Sequence, residues 1–89
     1  MKLRSVVKNE DYEKSLSEIE KDYPRVRDFE QAIDWALARN PNRFNNLNNG
    51  YYLYKQSRNI DVPIPCMNVL YQVSEDDNEV IIIDISICD

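Results

Sequence analysis

At 89 residues the chain is the length of one domain and can bury a single layered core without metal or disulfide staples. Apolar residues at 43%, charged residues at 30% and one glycine exclude a low-complexity or flexible polymer. Two cysteines and no histidine exclude Cys/His zinc sites and imidazole chemistry, and a net charge of −5, from 16 acidic against 11 basic residues, argues against the basic face that phosphate binding needs.

No apolar run approaches the roughly 20 residues of a membrane span, and the start M-K-L-R-S-V-V-K-N-E is too short and polar for a signal peptide. The expectation is a cytoplasmic protein without membrane contact, cofactor or metal, its cysteines small buried thiols kept reduced. Acidic balance shifts the expected partner from nucleic acid to a protein with a basic segment.

Leu3 to Lys8 reads as a short strand with Leu3, Ser5 and Val7 on one face and Arg4, Val6 and Lys8 on the other. Asn9 is a candidate N-cap, followed by Glu10, Asp11 and Glu13 where a helix dipole favours negative charge. Tyr12, Leu16, Ile19 and Tyr23 then fall at spacings that make one narrow apolar stripe on a helix ending at Pro24. A second helix is expected from about Pro24 to Arg39, with Val26, Phe29, Ile33, Ala36 and Leu37 in one sector and Asn40 and Pro41 as its stop. Trp35 projects almost opposite that sector, beside Asp28, Gln31 and Arg39. Either the first helix or the segment N-R-F-N-N-L covers it, or Trp35 with Arg39 is an exposed contact for a partner protein.

Asn40 to Gly50, with six asparagines, one proline and the only glycine, reads as a connector that tucks Phe44 and Leu47 against the core. Tyr51 to Gln56 is a strand by composition, with Tyr51, Leu53 and Lys55 on one side and Tyr52, Tyr54 and Gln56 on the other. Its aromatic and basic residues, with Arg58 beyond, either make cross-strand packing pairs or stack bases and hold phosphates. Ser57 to Pro65 is expected as a loop shielding the sheet edge.

Cys66 to Asp89 carries the clearest pattern, two runs rich in Val, Ile, Leu and Tyr flanking Glu75 to Glu79, which is a β-hairpin signature. A three-residue loop at Asp76, Asp77 and Asn78 sets a register of Val73 with Ile81, Tyr71 with Ile83, Val69 with Ile85 and Met67 with Ile87, all on the core face. The opposite face then pairs Leu70 with Asp84 and Cys66 with Cys88. Asp84 interrupts V-I-I-I-D-I-S-I and is read either as a sheet-edge carboxylate paired with a lysine or arginine, or as a contact to a partner's basic side chain. Together the elements predict a single α+β domain over 1–89: an N-terminal strand, a helical hairpin, then a three-stranded antiparallel meander with the helices on one face.

The order of elements, with L-N-N-G-Y-Y-L-Y-K followed by N-V-L-Y-Q-V-S-E-D-D-N-E-V-I-I-I-D-I-S-I, resembles the RelE/ParE superfamily of bacterial toxins. In that family a helical hairpin precedes a strand, then a hairpin of the form R-x-x-Y-x-V, a turn and a final hydrophobic strand. The resemblance implies the toxin-like component of a type II toxin–antitoxin pair, bound by an antitoxin and directed at a target such as gyrase or the ribosome. RelE-like members cleave messenger RNA on the ribosome with basic residues and a late tyrosine. On this chain Lys55, Arg58, Tyr52 and Tyr54 are the candidates for that role, but Asn68 stands where the family has arginine and no basic segment follows the final strand before Asp89. The expectation is therefore action through protein binding, with Trp35, Arg39 and Asp84 as partner contacts. The ribosome-dependent ribonuclease is the alternative, and an acidic regulatory protein without toxin function the second alternative.

Overall fold

The computed structural model describes residues 3–57, 64–76 and 78–88. Two helices, α1 (Glu10–Asp22) and α2 (Val26–Arg39), pack on a five-stranded mixed sheet of β1 (Ser5–Lys8), β2 (Asn45–Asn48), β3 (Tyr51–Gln56), β4 (Met67–Val73) and β5 (Glu79–Ile87). The strand order is β1-β5-β4-β3-β2, with β1 parallel to β5 and the other neighbours antiparallel.

The helices form for the reasons the sequence supplies. Asn9 caps α1 by accepting the Tyr12 N–H at 2.9 Å, and Tyr12, Leu16 and Ile19 form its buried stripe. Residues Tyr23 to Arg25 connect the helices, and α2 starts at Val26, two residues later than the Pro24 expectation. Glu20–Arg27 contacts near the connection and Tyr12–Glu30 contacts further out run the chain in opposite directions, as an antiparallel pair requires. Val26, Phe29, Ile33 and Leu37 of α2 meet Met67, Val69, Tyr71, Val80, Ile82 and Ile85 of the sheet in one core.

The hairpin register is corrected in its upper half. Ser74 N–H donates to the Glu79 carbonyl at 2.9 Å and Val73 pairs with Val80, so the turn is one residue longer than the expected three; Asp77 lies outside the described residues. Tyr71 therefore opposes Ile82, and a bulge at Ile83 restores the expected register from Leu70–Asp84 to Met67–Ile87. Val80 and Ile82 replace Ile81 and Ile83 in the core, and the buried positions of β5 step from 82 to 85. A one-residue shift exchanges the two faces of a strand, and the bulge confines that exchange to half of it. Ile87, expected in the core, is exposed.

The second correction is β2. The connector's asparagines form an edge strand paired with β3 through Asn45–Leu53 and Asn46–Tyr52. The chain reverses through three consecutive left-handed residues, Asn48, Asn49 and Gly50, a conformation that asparagine and glycine tolerate best. At Gly50 a Cβ would also come within 3.2 Å of the Val73 carbonyl, while Val73 N–H donates to Gly50. Phe44 reaches the core as expected, but Leu47 is exposed.

Cys66 and Cys88 form a disulfide, where free thiols were expected. The register sets their Cα atoms 5.3 Å apart, within bridging range.

Candidate functional site

The C-terminal end of α2 gathers the side chains of most chemical interest. Asn40 closes the helix by donating its N–H to Ala36, and Pro41, unable to continue it, opens a 3-10 turn over Pro41–Arg43. Pro41 is buried, and its carbonyl accepts the hydroxyl of the fully buried Tyr71, which ties the turn to the middle of the sheet. From the other side Arg4 donates its backbone N–H to Ala38 and its guanidinium to the Arg39 carbonyl at 2.7 Å. These contacts satisfy helix carbonyls that otherwise lack partners.

Between these anchors lies a shallow, open cleft of about 420 Å³ lined by Arg4, Arg39, Asn40, Pro41, Asn42 and Arg43. A helix C-terminus contributes about −0.5 of an elementary charge, far less than the guanidinium charge gathered around it. Elsewhere most described cations are matched: Lys8, Lys14, Lys21, Arg25 and Arg27 each have a carboxylate within ion-pair distance, while Lys55 on β3 is exposed without one among the described residues. In the cleft, Arg39 and Arg43 likewise have none among the described residues. The cleft is a locally positive surface on an acidic protein.

Trp35, one helical turn before Arg39, has 61% of its surface exposed. Neither α1 nor the segment after α2 covers it. The Arg39 guanidinium lies 4.2 Å from the ring centroid and donates to the Trp35 carbonyl at 3.1 Å, so the two side chains hold each other in place. The sequence brought Trp35 and Arg39 together. It did not bring in Arg43 and Asn42, whose signal was the arginine pair bracketing the helix stop in R-N-P-N-R.

Asp84 stands apart at the seam between α1 and β5. Its carboxylate accepts the Ser15 hydroxyl at 3.0 Å and the Ile85 N–H at 2.9 Å. The expected lysine or arginine partner is replaced by a hydroxyl, because β1 ends at Lys8, Asn9 bonds to Ile82, and α1 then borders this part of β5.

The candidates on β3 do not converge. Tyr52 stacks on Tyr71 with ring centroids 5.5 Å apart, and Tyr54 meets Phe44 edge-on at 4.6 Å, both on the core side. Burial pushes the Tyr54 hydroxyl above its ordinary range. Lys55 is exposed, on the opposite side of the strand by alternation. Arg58 lies outside the described residues.

A second polar cluster joins β1 to the helices. Lys8 Nζ lies 2.8 Å from Asp34 and 3.2 Å from Glu30, which also accepts the Tyr12 hydroxyl at 3.0 Å and Arg27 at 3.2 Å. Burial and then the Glu30 charge push the Tyr12 hydroxyl far up, so it stays a donor. Burial alone would raise the Glu30 carboxyl, but the Tyr12 hydroxyl and the Lys8 and Arg27 charges hold it below the ordinary range. Except for Asp34 Oδ1, which is buried without a partner, the cluster's charges and hydroxyl are used on one another. Its work is to fasten the helices to β1.

Among the described residues no group of three or more His, Cys, Asp or Glu could hold a metal ion. No described helix is long and apolar enough to cross a membrane. Comparison with protein-family models, curated proteins and solved structures returns no match.

Proposed function

We infer that this chain is a protein-binding domain, the toxin-like member of a toxin–antitoxin pair on a RelE/ParE-like scaffold, and that Trp35 and Arg39 contact the partner. The observation that carries this reading is the exposed indole of Trp35, with the Arg39 guanidinium over its ring. Tryptophan and arginine are the side chains most enriched among the few that dominate interface energies, and an aromatic fixed before binding loses little entropy on association. Element order supports the scaffold: a strand, two helices, and then an antiparallel meander of β3 to β5, to which β2 adds an edge strand. The ribonuclease alternative draws less support, because Tyr52 and Tyr54 are engaged in packing on the face of β3 away from Lys55.

Inducible expression in a bacterial host tests the reading. Growth arrest is expected, relieved both by Trp35→Ala and by co-expression of the product of the neighbouring gene. Supercoiling and translation assays in the arrested cells separate gyrase from the ribosome as target. A partner bound without arrest would favour the acidic regulator, and neither arrest nor partner would overturn the proposal.

A further inference from the structure

The cleft beside Trp35 has its own chemistry, opposite in sign to the rest of the protein. We propose that Arg39, Arg43 and Asn42 form a carboxylate-binding subsite that receives an acidic segment of a partner protein. This rests on the protein-binding reading of Trp35 and names the chemistry of what docks there.

Three observations carry it. Arg39 and Arg43 line one open cleft, and neither has a carboxylate partner among the described residues, although five other described cations do. A guanidinium offers five N–H donors in a planar fork that matches a carboxylate, and Arg39 uses one of them on the Trp35 carbonyl. The contact with the indole, together with the bond to the Trp35 carbonyl, restrains the Arg39 side chain, so less of its freedom remains to be lost on binding. The second wall is held as firmly: Pro41 is buried and bonded to Tyr71, which places Asn42 and Arg43 on a turn anchored to the sheet.

The same observations select a carboxylate segment over a nucleic acid. Arg39 covers a face of the indole at 4.2 Å, so that face is closed to a stacking base. A net charge of −5 disfavours the approach of a long polyanion, whereas a segment with a few carboxylates engages the local field. A partner that also has a basic segment would meet the acidic remainder of the surface.

Trp35 is the single tryptophan, and it reports on the cleft through its contact with Arg39, which lines it. The full chain is titrated with a short blocked peptide alternating Glu and Ser, with its Gln–Ser counterpart, and with a short oligouridylate, following Trp35 emission and, independently, the heat of binding. Saturable binding of the Glu–Ser peptide alone is expected, weakening with salt and about tenfold poorer in Arg43→Gln, the loss typical of one charge-assisted hydrogen-bond pair. Arg43 is exposed and makes no contact that folding needs, so this variant tests the subsite even where Arg39→Gln disturbs the helix end. Arg43→Lys, which retains charge without the fork, should recover only part of the affinity. Absence of saturable binding, equal binding of Gln–Ser, or tighter binding of oligouridylate would overturn the inference. A partner that still depends on Trp35 in cells while the peptide fails would sink the subsite alone and leave the protein-binding reading standing.

Discussion

The Arg39 guanidinium lies over the Trp35 indole at 4.2 Å and donates back to the Trp35 carbonyl one helical turn earlier. Two residues four apart on one helix are neighbours, so the pair forms from local spacing alone. It gives a large exposed aromatic a fixed neighbour outside the core that the rest of α2 builds.

That placement makes Trp35→Ala a mild change in stability. Its main loss is the cation–π contact, about 0.5–1 kcal/mol at an exposed site, where a core tryptophan would cost about 3–5 kcal/mol. At 89 residues each kcal/mol moves the melting temperature by about 4–8 °C, so a thermal melt separates the two cases. A fall larger than about 10 °C would put Trp35 among the residues that hold the fold together.

Tyr71→Phe should cost more than its one missing oxygen suggests. The hydroxyl is buried and donates to the Pro41 carbonyl, which the variant leaves without a partner, at about 1–3 kcal/mol. Urea unfolding measures the loss, and Tyr54→Phe is the control, because its half-buried hydroxyl bonds only to the Gln56 side chain on its own strand. Equal effects of the two substitutions would show that the tether to Pro41 contributes nothing special.

The parts legible in the sequence were those set by local spacing. The Asn9 cap, the stripe of Tyr12, Leu16 and Ile19, and the inward sector of α2 follow from helical periodicity, and the structure keeps them. The β4–β5 hairpin was legible, but its upper register was not, because every residue from Val80 to Ile83 is apolar and either alternation buries a plausible set. Turn length and the bulge at Ile83 decided between them. Strand β2 was hidden by composition: four residues, three of them asparagine, have little β preference, and only pairing with β3 makes them a strand. The N-N-G before Y-Y was the available hairpin signal. The cleft was half legible for a different reason. Trp35 and Arg39 lie on one helix, whereas Arg4 arrives from the residue before β1 and Arg43 depends on where the turn after Pro41 points.

The disulfide should be a substantial part of stability. Cys66 and Cys88 are 22 residues apart, and closing a loop of that size in the unfolded chain corresponds to about 3 kcal/mol. Reductant, or Cys66→Ser with Cys88→Ser, should therefore lower the urea midpoint clearly while leaving the helices in place. Alkylation of freshly isolated protein without reductant should label neither cysteine. Stoichiometric labelling of both would return the pair to free thiols.

The Lys8–Glu30–Asp34 cluster predicts how stability depends on pH, and the sign differs at the two ends. Glu30 has a folded value below its unfolded value near 4.5, since its bonds from Tyr12, Lys8 and Arg27 outweigh the burial that works against its charge. Between those values the unfolded chain binds more protons than the folded one, so stability increases with pH there. The Glu30 contribution is complete above about pH 4.5 and disappears as pH falls through the folded value. Lys8 runs the other way: Asp34 and Glu30 outweigh its burial and raise it above 10.5. Its contribution is complete below that pH and disappears as pH rises through the folded value. Glu30→Gln should cost about 1–3 kcal/mol at neutral pH, because a half-buried group that accepts from three partners loses its charge. The same substitution should flatten the acid side of the profile, so that wild type and variant converge as the pH falls. Urea midpoints measured from neutral to acid pH test this. Parallel curves with a constant offset would place the acid sensitivity on other carboxylates and reduce Glu30 to a packing contact.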